Sequence, residues 1–263
     1  MSVNLNILFH YVADKLDKRG LDSNEQKRRD ETEYTALSNS YFGALPINYN
    51  NIDLMLAYTR FYAPKHAVIW RDYFASFRPM EGDIELNLLG CGPAPELFGL
   101  LEGIRWNKPG KVVVHAYDIN PRWEEFVRFG CDVYGKKLKL DIEVDFATDA
   151  SVCVPGKLVL GSFIITDMIR SGEASKFDTY IPKGRPAEVI LMDCPLYTGK
   201  DGCGATSNHL KGYSRYQYDA QKAINCLEIE KNEFRHKRYG RNRSCYAVPR
   251  NPGFEVYSRR VGV

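Results

Sequence analysis

Two periods of apolar residues divide this chain near residue 80. In the first part, apolar residues recur every three or four positions, as in Leu5, Leu8 and Val12, which is the spacing of one face of a helix. Asp53 stands where it would cap a second helix, and Pro64 separates that helix from a third. The pattern therefore predicts three helices, at 5–20, 53–62 and 67–77.

Beyond residue 80, short apolar runs alternate with amphipathic segments, an order typical of a parallel sheet covered by helices on both faces. The predicted strands are 84–89, 112–117, 140–145, 157–163 and 187–192. The predicted helices are 95–104, 121–130, 166–175 and 214–236. Two strand-like runs, 244–248 and 254–258, flank a turn rich in proline and predict a closing hairpin.

Together these elements predict an α/β fold in three layers, α/β/α. Its centre is a Rossmann-like, seven-stranded, mostly parallel sheet that a C-terminal β-hairpin closes. Residues 1–80 are predicted to form a helical N-terminal cap, and residues 81–263 the domain that carries the functional site. A content of 44% hydrophobic and 26% charged residues among 263 is ordinary for a globular protein.

The sequence favours neither a membrane location nor a metal site. It has no apolar run of about 18 residues and no signal-peptide pattern at its N-terminus, so we expect a cytoplasmic protein without membrane contact. The seven cysteines form no C-x-x-C pair and the five histidines show no ligand spacing, which predicts reduced thiols and no bound metal. The net charge of +3 indicates no particular partner, and no feature indicates an oligomeric state.

A glycine-rich turn follows the first predicted strand, in the run Leu89-Gly-Cys-Gly-Pro93, and the second predicted strand ends on Asp118. Because parallel strands end at one edge of a sheet, the turn and the carboxylate are expected to face one crevice. The glycines let a ligand approach the backbone, and the carboxylate can accept hydrogen bonds from ribose hydroxyls. The alternatives are a tight turn without a ligand and a dehydrogenase, although Pro95 stands where a dehydrogenase fingerprint has its last glycine.

This order of elements, with the glycine turn and Asp118, resembles the class I S-adenosylmethionine-dependent methyltransferases over residues 82–260. The resemblance implies that S-adenosylmethionine is the cofactor and that its methyl group is transferred to an acceptor. It implies a cofactor turn formed by Gly90, Cys91, Gly92 and Pro93. It also implies that Asp118 binds the ribose and that Ile119 packs on the adenine.

Other residues of the cofactor site follow from the same resemblance. An acid after the third strand is expected to accept from the adenine amino group, and Asp149 with Ala150 is the first candidate, Asp145 the second. Arg60 is expected to pair with the cofactor's carboxylate from the helical cap. Ser162, at the end of the fourth strand, is counted with the cofactor-binding residues.

Phe163 and Asp167 are expected beside Ser162, on the substrate side of the site. The chain departs from the family pattern at two positions. Leu88 stands where the family usually has an acid, for which Glu96 or Asn87 could substitute, and Ala94 replaces the third glycine of the turn.

The run Asp193-Cys-Pro-Leu-Tyr197 resembles the D-P-P-Y signature of amino-group methyltransferases that act on DNA bases. Its second position is Cys194 instead of proline, and it follows the fifth predicted strand, whereas the signature belongs to the fourth. Asp193 and Tyr197 are nevertheless the first candidates for a catalytic base. The glycine-rich segment 198–204 that follows is predicted to be either a mobile lid or an ordinary surface loop.

Basic residues are concentrated between positions 231 and 250, where seven Lys and Arg residues face the single acid Glu233 and two tyrosines are interleaved. Such a stretch could contact phosphates and stack on bases, or it could be a solvated helix end and loop. It favours RNA as the methyl acceptor, with a small molecule or a protein as alternatives. A different class also stays open, a methyltransferase-like module that binds nucleic acid or a protein partner without turnover.

Overall fold

The protein is described here from a computed structural model. It describes residues 3–22, 24–26, 28–29, 31–33, 36–37, 49–76, 82–104, 109–150, 153–155, 157–181, 187–193, 197–198, 202–203, 214–217 and 255–261. For the segments from residue 197 onward it describes the backbone only.

Three helices form the N-terminal part: α1 (Leu5–Leu16), α2 (Ile52–Phe61) and α3 (Ala63–Ala75). The predicted cap of α2 is wrong, because the side chain of Asn51 accepts from the backbone N–H of Asp53. The carboxylate of Asp53 instead forms ion pairs with two arginines, Arg19 and Arg29. Helix α3 begins four residues before the predicted start, since Pro64 lies in its first turn, where a missing N–H costs nothing.

Five parallel strands form the centre of the sheet: β1 (Ile84–Leu89), β2 (Lys111–Tyr117), β3 (Asp141–Ala147), β4 (Leu158–Ser162) and β5 (Ala187–Asp193). They lie in the order β3-β2-β1-β4-β5, and every adjacent pair is parallel. Each predicted strand is confirmed to within two residues at either end. The predicted α/β class and the five-stranded parallel sheet are therefore confirmed.

The helices that connect these strands are α4 (Pro95–Gly103), α5 (Trp123–Leu138), α6 (Ile164–Arg170) and the single turn α7 (Phe177–Tyr180). Helix α5 runs eight residues past its predicted end, because its apolar face continues through Tyr134 to Leu138. Helix α6 is shorter than predicted and ends where Gly172 adopts a positive φ of 75°.

Four short strands follow: β6 (Tyr197–Thr198), β7 (Gly202–Cys203), β8 (Ser214–Gln217) and β9 (Glu255–Val261). β6 and β7 pair with each other, whereas β9 runs antiparallel to both β5 and β8 and extends the sheet to β3-β2-β1-β4-β5-β9-β8. The predicted helix 214–236 is therefore wrong at its start, since 214–217 supplies hydrogen bonds to the outer edge of β9. The rest of that helix and the predicted hairpin strand 244–248 lie outside the described residues.

One continuous apolar core joins the N-terminal helices to the sheet. It includes Met55 and Trp70 from the helices, Leu97 from α4 and Val114 from β2, all fully buried. In the part of the chain that the structure describes, no helix is both long and apolar enough to cross a membrane.

Helices α3 and α4 approach so closely that Gly99 has no room for a side chain. A Cβ placed there would lie 2.4 Å from the carbonyl oxygen of Ala67 and 2.4 Å from Cβ of Trp70. These neighbours are backbone and core atoms that have no space to move.

We expect Gly99→Ala to lower the free energy of unfolding by about 2–3 kcal/mol, because the added methyl overpacks the α3–α4 contact. Without the clash, the same change would stabilise the helix by about 1 kcal/mol, so the sign decides. Gly110→Ala is the control, since its Cβ would meet only the flexible side chain of Asp83 at 3.1 Å. Urea unfolding measures both, and a stabilised Gly99→Ala variant would refute the close approach.

Candidate cofactor and active site

A cavity of about 700 Å³ opens at the carboxyl ends of the parallel strands. Gly90 follows β1, Asp118 follows β2, Thr148 follows β3 and Ser162 ends β4, and all four line the cavity. In open α/β sheets, ligands bind at this edge, where the strand order reverses, here between β1 and β4. The size lies within the range of small-molecule sites.

The glycine turn and the predicted ribose ligand are joined by a direct hydrogen bond. The backbone N–H of Gly92 donates to Oδ2 of Asp118 at 2.9 Å, and the N–H of Asn120 donates to Oδ1 at 2.9 Å. Gly90 and Gly92 have positive φ angles of 58° and 47°, which glycine adopts without strain. Each carboxylate oxygen keeps a lone pair for a ligand hydroxyl.

The carboxyl group of Asp118 is harder to ionise than an exposed aspartate. Burial raises its pKa to about 6, against the two backbone hydrogen bonds, which favour the charged form, and the charge of Asp167 adds to the rise. The group is therefore largely ionised at pH 7, as an acceptor for two hydroxyls requires.

Three more predicted cofactor residues line the cavity. Ile119 is the most notable, because 91% of its surface is exposed although it is a large apolar side chain. Asp149 and Ala150 lie beside it along the cavity, whereas the competing acid Asp145 has a side chain that is 78% exposed and lies 3.6 Å from His115. The structure thus places Asp149 at the cavity, together with Ile119.

Two residues of the predicted cofactor turn lie behind it. Cys91 and Pro93 are buried, and the thiol of Cys91 belongs to the apolar core. The backbone N–H of Cys91 donates to the carbonyl of Tyr117 and fixes the turn to the end of β2. The next residue, Ala94, has a φ of 58°, so this position keeps the left-handed backbone of a glycine and carries a methyl group in the core.

An aromatic wall, which the sequence analysis assigned mostly to the core, forms one side of the cavity. It consists of Tyr49, Tyr58, Tyr62, His66, Trp123 and Phe163. Tyr58 stacks on Tyr62 with an angle of 6° between the rings, and the centroids of His66 and Phe163 lie 4.3 Å apart. Tyr58, Tyr62 and His66 are spaced by four residues, and this helical spacing was the available signal.

The wall is uncharged at neutral pH. Burial, with the nearby charge of Lys65, lowers the pKa of His66 to about 3, and burial raises the pKa of Tyr58 well above its usual value. The hydroxyl of Tyr58 and Nδ1 of His66 are 3.1 Å apart and form a hydrogen bond. This side of the cavity therefore offers ring faces and few charges.

The charges that line the cavity are mainly negative. Asp118, Asp149, Asp167 and Glu173 carry carboxylates, and among the described lining residues only Lys176 has a lysine or arginine cation, which is paired with Glu173. Phe163 and Asp167 thus lie where they were predicted. Such a lining favours a ligand with positive charge.

Behind the cavity, a buried chain of hydrogen bonds leads from Trp70 to Glu96. The indole Nε1 of Trp70 donates to Oγ of Ser162 at 2.9 Å, and this hydroxyl donates to Oε2 of Glu96 at 3.1 Å. Glu96 is fully buried, its Oε1 has no hydrogen-bond partner, and burial raises its pKa to about 8. Of the two proposed substitutes for the acid missing at Leu88, Asn87 is occupied by the backbone of Val154.

The predicted role of Arg60 is not what the structure shows. Its side chain is 1% exposed and forms ion pairs with Asp14 at 3.3 Å and Asp17 at 3.0 Å, on the side of α2 that faces α1. It does not line the cavity that the described residues form, whereas its neighbours Tyr58 and Tyr62 do. A carboxylate partner is therefore supplied from within the chain.

Of the two candidate catalytic residues, Asp193 is fully buried at the end of β5. It accepts from the backbone N–H of Thr166 at 3.1 Å and from the hydroxyl of Thr166, which fixes the first turn of α6. Asp193 is not among the described residues that line the cavity. Tyr197 begins β6, where only the backbone is described. The described residues hold no cluster that could bind a metal ion.

No protein-family model and no curated protein matches this chain. The expected resemblance to S-adenosylmethionine-dependent methyltransferases is confirmed among solved structures. The 16S rRNA methylase ArmA is similar with 16% identity over 86% of this chain and 97% of that chain, at a TM-score of 0.39. A SAM-dependent methyltransferase from Aquifex aeolicus is similar with 14% identity over 73% and 89%, at 0.36.

A third similar structure is coclaurine N-methyltransferase bound to N-methylheliamine and SAH, with 11% identity over 96% of this chain and 93% of that chain and a TM-score of 0.34. These identities and scores are too low to transfer an activity or a substrate. The α/β fold class therefore rests on the strand order and connections described above.

The raised pKa of Glu96 predicts a pH dependence of stability. Between pH 6 and 8 the folded protein keeps a proton that the unfolded glutamate has lost, so the free energy of unfolding falls with rising pH by up to about 1.4 kcal/mol per unit. Glu96→Gln should remove that slope. Asp118, with a pKa of about 6, contributes chiefly below this window. Urea unfolding at pH 6, 7 and 8 measures the slopes, and equal slopes in both proteins would refute the buried, protonated Glu96.

Proposed function

We propose that this protein is an S-adenosylmethionine-dependent methyltransferase. One observation carries the proposal: the glycine turn, bonded through Gly92 to Asp118, lies in one cavity with the exposed Ile119. An almost fully exposed isoleucine at a cavity mouth is costly unless a ligand covers it. Asp118 beside it offers the acceptors that a ribose needs.

Each residue of the site has a part in this proposal. Gly90 and Gly92 give the cofactor access to the backbone, Asp118 holds the ribose hydroxyls, and Ile119 packs on the adenine. Asp149, with Ala150, accepts from the adenine amino group. The bound cofactor supplies a methyl group on a positively charged sulfur, and the acidic lining favours that charge.

The uncharged aromatic wall positions the acceptor and excludes water. Methyl transfer from a sulfonium needs chiefly the alignment of donor and acceptor, since the leaving group is already activated. Asp193 and Tyr197 stay the proposed candidates for a base where the acceptor must lose a proton. The free, buried thiols of Cys91, Cys131 and Cys153 are in keeping with the predicted cytoplasmic location.

Binding of S-adenosylhomocysteine, measured by titration calorimetry, tests the cofactor site. We expect Ile119→Ser and Asp149→Ala to weaken binding about tenfold each, because they remove packing on the adenine and an acceptor for its amino group. Asp145→Ala is the matched control and should bind as the unchanged protein does. The proposal fails when neither S-adenosylmethionine nor S-adenosylhomocysteine binds, and the adenine assignment fails when Asp145→Ala has the larger effect.

For the acceptor, we propose RNA, on the strength of the basic stretch 231–250 in the sequence. That stretch lies outside the described residues. A small-molecule or protein acceptor is the alternative. The different class, a binding module without turnover, is distinguished by the absence of methyl transfer in a protein that still binds the cofactor.

RNA binding through this stretch predicts a steep dependence on salt. Replacing Arg238, Arg241 and Arg243 by Gln should reduce the slope of log K against log salt by up to about three, one for each lost phosphate contact. Replacing the exposed cations Lys18, Arg128 and Lys136 by Gln leaves the charge change equal and serves as the control. Equal slopes for the two triple variants, measured by filter binding of single-stranded RNA, would refute the assignment.

A further inference from the structure

We propose that Ser162 and Glu96 form the subsite for the primary ammonium group of the cofactor, and that binding of this group expels a proton from Glu96. The inference rests on the proposed function, since it takes S-adenosylmethionine as the ligand of the cavity. It goes further in assigning one end of that ligand to a buried pair and in coupling binding to a proton.

The hydrogen bonds of Ser162 leave one position open. Its hydroxyl accepts from the indole of Trp70, which is a donor only, and gives its single hydrogen to Glu96. A hydroxyl oxygen has two lone pairs, so one remains. Because Ser162 lines the cavity, that lone pair is available to a ligand, and only a hydrogen-bond donor can use it.

The position of Ser162 places this acceptor next to the glycine turn. Leu89 of β1 pairs with Gly161 of β4, so the residues that follow, Gly90 and Ser162, lie side by side where the two strands end. A ligand that approaches the backbone of the turn therefore reaches the hydroxyl of Ser162. The positive sulfur has no hydrogen to donate, whereas a primary ammonium has three.

Glu96 supplies the charge for this subsite. It is fully buried, and its Oε1 has no hydrogen-bond partner, which is costly for an ionised carboxylate and tolerable for a protonated one. In the ligand-free protein burial raises its pKa to about 8, so the group holds a proton at neutral pH. A cation beside Ser162 favours the ionised form and lowers that pKa.

The groups that face Glu96 from the neighbouring elements do not replace it as a proton source. They are Tyr58 from α2, Cys91 from the turn and Asp118 after β2. Burial raises the pKa of Tyr58 and of Cys91 well above its usual value, so both stay neutral between pH 6 and 8. Asp118 titrates near pH 6, but its hydrogen bonds to the turn are the same with and without Glu96, so a Glu96 variant separates the two.

Calorimetry in buffers of different ionisation enthalpy counts the protons released on binding. With S-adenosylhomocysteine at pH 6.5, where the ligand's ammonium is protonated in solution, we expect the unchanged protein to release up to one proton more than Glu96→Gln. Its affinity should rise up to about tenfold more than that of Glu96→Gln between pH 6 and pH 7. 5′-Deoxy-5′-methylthioadenosine lacks the ammonium group and should show equal release in both proteins.

Ser162→Ala provides a second variant that leaves the buried carboxyl in place. It should lose affinity for S-adenosylhomocysteine at least tenfold while binding 5′-deoxy-5′-methylthioadenosine as before. Equal proton release by the unchanged protein and Glu96→Gln with S-adenosylhomocysteine would overturn the inference and leave the proposed function standing. Failure of the unchanged protein to bind either ligand would overturn the proposed function and this inference with it.

Discussion

The hydrogen bond from the backbone of Gly92 to the carboxylate of Asp118 is the constraint on which the site depends. It fixes the turn after β1 to the end of β2, so that two positive-φ glycines and an acceptor for hydroxyls face one cavity. The left-handed backbone of Ala94 then starts α4 and carries Glu96 behind Ser162. A shift of either strand end would separate groups that work only together.

Burial gives the site its electrostatic character. The pKa of Asp118 rises to about 6 and that of Glu96 to about 8, so at neutral pH one carboxyl is charged and the other is not. The neutral His66 and the aromatic rings around it add little charge of their own. A positively charged ligand therefore meets a few carboxylates at fixed places, each with a different readiness to lose its proton.

Local patterns predicted the central sheet and much of the cofactor side of the site, because apolar runs and glycine turns are written in consecutive residues. The contacts that the sequence did not predict are long-range. Arg60 was assigned to a ligand because its partners, Asp14 and Asp17, lie more than 40 residues away. Tyr58 and His66 were taken for core since a wall residue and a core residue share one helical spacing, and the strand at 214–217 depends on β9, which follows about 40 residues later.

The close contact of α3 with α4 has a consequence for how ligands exchange. Gly99 and Gly103 bring the backbone of one helix against the other, with positions for Cβ only 2.4–2.7 Å from neighbouring atoms. His66 projects from α3, so this part of the aromatic wall cannot swing aside without unpacking the core beneath it. Entry and exit must therefore take place past the opposite rim, where Ile119 stands in solvent, and the residence time of a bound nucleoside is set on that side.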